Sequence, residues 1–232
     1  MINQHSPHTI NEQKKFKFWL GPVLLYLVML LIVAVTPGWV AYGSSTAVKM
    51  ALTILPYLLL TAAVLLACRL EGLPLPATLG LSAAPLKRQL KAAWLPFAIS
   101  VGVFVVAPLL LGFPAEDVLS FKARNWGILV FYLFYTQICV GFGEEIIFRG
   151  YYYERLRTGL GSDLAAVLLS SLLFGLFHYP NGHNWAQVLV TTLIGLIYAT
   201  ARWKMKDCST LSTGLAHGLH DNVIRVLSMF LR

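Results

Sequence analysis

The sequence predicts an all-α fold, a polytopic membrane helix bundle of about seven transmembrane helices, and three observations carry that prediction. Hydrophobic residues make up 57% of the 232-residue chain and charged residues 12%, against about 25% charged in soluble domains. Uncharged windows run from Phe18 to Val48, Met50 to Cys68, Ala92 to Ala115, Asn125 to Gly143 and Leu164 to Ala201, and a last apolar stretch follows Cys208. The apolar residues run on without sustained alternation, and an open sheet could not satisfy its backbone groups in lipid, so the spans are helical.

A bilayer core of about 30 Å needs about 20 helical residues. The windows therefore give spans near 18–36, 50–68, 92–113, 127–150, 163–179, 185–202 and 209–230. The first follows a cytoplasmic amino-terminal segment, 1–17, that carries Lys14, Lys15 and Lys17. Its uncharged stretch is longer than a signal-peptide core and no small-residue cleavage site follows, so a retained anchor is expected. Between the second and third spans, Gly72, Pro74, Pro76, Gly80 and Pro85 interrupt a weakly apolar linker, expected along the membrane surface. The fifth and sixth spans come from one long window divided by Tyr179-Pro180-Asn181-Gly182-His183-Asn184, a run of turn formers. There is no room for a second sizeable domain and no internal repeat. Helices over 18–125 are accessory to a site-bearing segment over 126–230.

With a cytoplasmic amino terminus, 13 of the 18 basic residues fall on the cytoplasmic side, as the positive-inside rule requires. The net charge of +8 then belongs to topology and anionic headgroups, and no aromatic-interleaved basic module points to nucleic acid. The expected location is a multi-pass position in a membrane, the plasma membrane in a bacterium. Cys68, Cys139 and Cys208 are odd in number and widely spaced; they read as packing residues.

Ionisable groups at bilayer depth cost about 2.5–3.5 kcal/mol each on insertion scales, so those kept there mark a site. Three clusters qualify: Glu144-Glu145 with Arg149, Phe174 with His178, and His217 with His220 and Asp221. Adjacent helical residues point about 100° apart, whereas Glu145 and Arg149, four apart, can pair and leave Glu144 as a base. A structural ion pair at a helix end is the alternative. If the fourth and fifth spans form a hairpin around Gly159-Leu160-Gly161, Glu144 and His178 differ in depth by about 3 Å and can meet. His217 and Asp221 share a helical face, with His220 turned partly aside; an Asp221–Arg225 pair is the alternative there. Gly214 and Gly218 form a small-xxx-small face that admits a neighbouring helix.

Glu-Glu-x-x-x-Arg, Phe-x-x-x-His and His-x-x-x-Asn/Asp, in this order on successive membrane helices, resemble the CPBP family, the CAAX prenyl proteases and bacteriocin-processing enzymes also called Abi proteins. The resemblance covers about Trp126 to Phe230 and makes 126–230 a CPBP-like catalytic bundle. It implies an intramembrane endopeptidase acting near the terminus of a membrane-associated protein or peptide, whether CAAX-type, sorting-signal or leader processing. It assigns the catalytic glutamate to Glu144, its partner to Glu145, the motif arginine to Arg149, and the two histidines to His178 and His217. The last motif position, more often asparagine, is Asp221, which departs from the pattern; Phe174 and His220 would support substrate or packing. Glu144 and His178 would activate water, with His217 and residue 221 steadying the oxyanion. A metal-free site is expected because no HExxH pair occurs. The alternative is Zn²⁺ held by two histidines and a carboxylate, drawn from Glu144, His178, His217 and Asp221, with one position open to water. A non-catalytic immunity or adaptor protein on the same scaffold, or a proton-coupled transporter, are the competing functions.

Overall fold

The structure, a computed structural model, describes residues 12–119 and 125–231, and all regular elements in them are helical. The expected cytoplasmic segment falls largely outside the described residues. Seven long helices follow one another: α1 (Glu12–Ala41), α2 (Thr46–Leu70), α3 (Leu86–Leu110), α4 (Trp126–Leu160), α5 (Asp163–Phe177), α6 (Trp185–Lys204) and α7 (Thr210–Leu231). The chain is thus an all-α integral membrane bundle. Five of the helices, α1 to α5, are long and apolar enough to cross a membrane by length and composition, α5 counted with its continuation to Gly182.

The helices α6 and α7 lie where spans were expected but are less apolar, and for α7 burial explains why. On α7, Thr210, Ser212, Thr213, Gly214, His217, Gly218, His220 and Ser228 are all buried. A helix shielded from lipid by its neighbours has no need of an apolar surface all round. The other helices carry exposed leucines and aromatics, among them Leu24, Leu27, Leu31, Leu58, Leu66, Phe134 and Leu189, as a hydrocarbon-facing surface requires.

Helix starts follow from capping. Ser45, Asn125, Ser162 and Asn184 each accept a backbone N–H of the turn that follows, satisfying donors that helix geometry leaves without partners. Gly161, in the left-handed region at φ 65°, closes α4, and Ser162 opens α5, so the expected hairpin turns there. Hydropathy misplaces two boundaries. The helix α3 begins at Leu86, among Lys87, Arg88 and Lys91, and α4 runs on through Glu154, Arg155 and Arg157 to Leu160. In both cases the helix extends past the apolar region into charged sequence.

The ends of these helices are tied together on one side of the bundle. Arg155 at the end of α4 pairs with Glu71 after α2 at 2.6 Å and donates to the Phe18 carbonyl of α1 at 2.7 Å. Arg202 of α6 pairs with Glu154 of α4 at 2.7 Å. The linker after α2 does not simply lie on the surface, since Thr78, Leu79 and Gly80 are buried. Gly80 is in the left-handed region, and its carbonyl accepts the Thr210 amide at the start of α7 at 3.2 Å.

Close approach of α4 and α7 depends on glycine. A Cβ on Gly141 would lie 2.7 Å from the Gly214 oxygen and from the Gly218 Cα, which is the contact the Gly214/Gly218 spacing anticipates. Gly141→Leu is therefore expected to destabilise the bundle by about 1–3 kcal/mol through overpacking. Thermal unfolding in detergent checks this, with Gly38→Ala as a neutral control because nothing lies within 4 Å of a Cβ there.

Candidate active site

Glu144 and Glu145 occupy a three-residue α-helical stretch, Gly143–Glu145, between two π-helical stretches of α4, Thr136–Phe142 and Ile146–Tyr152. Such π turns break the regular helical register, and they recur at functional sites. The result is a dense group of charge inside the protein: Glu144 is 1% exposed and Glu145 and Arg149 are 0% exposed. Buried charges persist only when paired and otherwise contacted.

Glu145 and Arg149 form that pair, with Oε1 and Nη1 2.9 Å apart. The contact is a close ion pair without good hydrogen-bond angles; rings on two other helices help hold the cation. The guanidinium lies 4.3 Å from the Phe174 ring centroid on α5 and 5.7 Å from that of Tyr198 on α6. Gly195 makes room for it, since a Cβ there would sit 3.0 Å from Arg149 Nη2. Glu145 Oε1 also lies 3.1 Å from His217 Nδ1. A carboxylate facing an arginine accepts, so this geometry places the His217 proton on Nδ1 and leaves Nε2 with its lone pair.

His178, the residue that ends α5, reaches the same state by a different route. Its own amide bonds to the Gly175 carbonyl, and its Nδ1 lies 2.8 Å from the Phe174 carbonyl. A carbonyl can only accept, so Nδ1 carries the proton and Nε2 again presents a lone pair. The Phe174 ring stands edge-on to both imidazoles, at 4.9 Å from His178 and 5.7 Å from His217.

The two Nε2 atoms face one oxygen. Glu144 Oε2 lies 3.8 Å from His178 Nε2 and 4.0 Å from His217 Nε2, and it has no hydrogen bond although it is buried. Its other oxygen, Oε1, accepts from the Tyr57 hydroxyl of α2 at 2.7 Å. Three acceptors thus converge without a donor among them, an arrangement that a hydrogen-donating molecule such as water would satisfy. The His178 side chain is 20% exposed and that of Glu144 2%, so the cluster opens on the His178 side.

The same atoms have the chemistry of a zinc donor set, but their spacing is wide for it. Ligands on a tetrahedral Zn²⁺ with bonds of about 2.0–2.1 Å stand about 3.4 Å apart. Among the described residues no group of three or more His, Cys, Asp or Glu has metal-holding geometry.

Two of the anticipated residues make no hydrogen bond or ion pair with this cluster among the described residues. His220 turns toward Ser100 of α3, with Nδ1 3.1 Å from Oγ, and Tyr198 donates to the same Oγ at 3.1 Å. Asp221 is half-buried, and none of the hydrogen bonds or ion pairs found among the described residues involves it. Its neighbour Asn222 is instead bonded to Thr136 of α4. Sequence reasoning missed Tyr57, Ser100 and Tyr198. Each is a single hydroxyl in an apolar helix, and no spacing links it to the charged clusters.

The buried pair generates a prediction about stability. Glu145→Gln leaves Arg149 uncompensated and is expected to cost about 3–5 kcal/mol, whereas the double substitution Glu145→Gln/Arg149→Met recovers a large part of that loss. A double-mutant cycle on unfolding free energy in detergent measures both.

Residues 125–223 fit the family model described as type II CAAX prenyl endopeptidase Rce1-like. No curated protein and no solved structure matches the chain. The matched segment contains Glu144, Glu145, Arg149, Phe174, His178, His217 and Asp221. That segment is similar to the CPBP, or CAAX protease, family, and the likeness supports protease activity on a membrane-associated protein substrate.

Proposed function

We propose that this protein is a glutamate-type intramembrane endopeptidase that hydrolyses a peptide bond near the terminus of a membrane-anchored, CAAX-type substrate. The observation that carries the reading is the convergence of Glu144 Oε2 with the Nε2 atoms of His178 and His217, at 3.8 and 4.0 Å, within a buried group in which His178 is the most exposed of the three.

In this reading a water entering beside His178 donates its protons to Glu144 Oε2 and His178 Nε2. Glu144 takes one proton as general base while the water oxygen attacks the scissile carbonyl carbon. The carbonyl π electrons move onto oxygen. As substrate enters, His217 takes a proton from solvent at Nε2; the imidazolium so formed donates to that oxyanion and returns the proton to solvent after product release, while the Glu145 carboxylate on Nδ1 steadies it, as the acid of a hydrolytic triad does. The intermediate then collapses, the C–N bond breaks, and the proton held by Glu144 passes to the leaving amine. Asp221 has no part in this cycle, because an ionised carboxylate would repel the oxyanion. The spacing of the three acceptors supports a water better than a tetrahedral metal ion, so no step passes through zinc.

The tied helix ends also support a topology. The basic residues Arg155, Arg157, Arg202 and Lys204 lie on the same end of the bundle as the start of α1, and the positive-inside rule puts that end in the cytoplasm.

With purified protein in lipid nanodiscs and a farnesylated CAAX-terminated peptide, Glu144→Gln is expected to lower kcat/KM by about 10²–10⁴-fold, the range of a general base. Equal cleavage by wild type and variant contradicts the reading. Overnight exposure to a strong zinc chelator is expected to leave wild-type cleavage unchanged; loss of activity restored by added Zn²⁺ would assign the cluster to metal.

A further inference from the structure

The proposed base is held by a residue from outside the segment that matches the family. Tyr57 lies on α2, whereas the match begins at residue 125. Its hydroxyl donates to Glu144 Oε1 at 2.7 Å, and the other oxygen of the same carboxylate faces the two imidazoles. Building on the reading of Glu144 as the base, we propose that Tyr57 is a positioning residue of the reaction: it fixes the carboxylate rotation that presents Oε2 to the water.

The local sequence supports this contact on both sides. The ring of Tyr57 stands edge-on to that of Tyr135 on α4, with centroids 5.7 Å apart and planes at 85°, an aromatic geometry that resists rotation of the phenol. Gly143, next to the base, leaves the ring its place: a Cβ there would lie 3.4 Å from Tyr57 Cδ1, so β-branched residues at 143 would press on the ring.

Chemistry favours a phenol for this task. An ionised carboxylate offers about four acceptor positions, and in a closed site an unheld carboxylate rotates to the nearest donor. Arginine or lysine would hold it but would also neutralise the charge that makes it a base, as Arg149 does for Glu145. A neutral hydroxyl on Oε1 orients the group and leaves Oε2 basic. Helix α2 is then part of the active site, and the family-matching helices alone leave the base unsupported on one side.

The test compares Tyr57→Phe with wild type and with Glu144→Gln, all full-length in nanodiscs, using the farnesylated peptide. Tyr57→Phe is expected to lower kcat by about ten- to a hundredfold, the scale of a misplaced catalytic group, with KM within about twofold and the thermal midpoint close to wild type. A kcat within twofold of wild type, or a loss that follows KM or the thermal midpoint, overturns the proposal. A second measurement does not depend on the phenylalanine variant folding. With 3-fluorotyrosine incorporated at position 57, the ¹⁹F resonance is expected to move on Glu144→Gln and to stay in place on Glu116→Gln, an exposed carboxylate elsewhere. An unmoved resonance in both overturns the hydrogen bond itself. If Glu144→Gln is dead while Tyr57→Phe is fully active, only the role of Tyr57 falls. If Glu144→Gln still cleaves, the reading of the base falls and this proposal with it.

Discussion

One buried ion pair organises this bundle. Arg149 and Glu145 lie 2.9 Å apart with neither side chain exposed, in a protein surrounded by hydrocarbon where an unpaired charge is most costly. Everything that compensates the pair comes from elsewhere in the chain. Phe174 of α5 and Tyr198 of α6 face the guanidinium, His217 of α7 bonds the carboxylate, and Gly195 leaves the space. Four helices are therefore fixed relative to one another around a single charge. The groups nearest the proposed chemistry, Phe174 and His217, are also the groups that hold the pair.

This arrangement explains why two adjacent glutamates serve different ends. Glu145 is committed to Arg149 and His217, while Glu144 meets a phenol on one oxygen and two imidazole lone pairs near the other. The interruption of α4 by π turns on either side of Gly143–Glu145 sets the directions in which both project. Gly141, packed against Gly214 and Gly218, brings α7 close enough for His217 to reach. Backbone irregularity and small residues here place charge that regular, bulkier helices could not bring together.

Much of this was legible in the sequence because hydropathy and cost at depth are strong signals. The uncharged windows located the seven helices, and the few ionisable residues within them named Glu144, Glu145, Arg149, His178 and His217, which the structure gathers. The i,i+4 spacing anticipated the Glu145–Arg149 pair, and the hairpin at Gly161 anticipated the depth match of Glu144 with His178. Other features left no such trace. A π turn has no compositional signature, so the projection of Glu144 could not be derived. Tyr57 and Ser100 are isolated hydroxyls on helices distant in sequence, and only tertiary packing makes them partners. Asp221 shares a helical face with His217 and fills the last motif position, while the contact of its neighbour Asn222 with α4 left no trace in spacing. The charged end of α4 escaped hydropathy because Glu154 and Arg155 meet protein groups rather than lipid, and the charged start of α3 because Lys87, Arg88 and Lys91 are exposed at the helix end.

The central claim is that Glu144 and His178 act on one water as a unit, and a double-mutant cycle on kcat/KM tests it most directly. Glu144→Gln, His178→Ala and the double variant are compared on the same lipidated peptide. Groups that share one catalytic act are strongly non-additive, so the double variant should be no slower than the slower of the two single variants. Losses that multiply would mean that the two side chains work independently, and the shared-water account would be wrong.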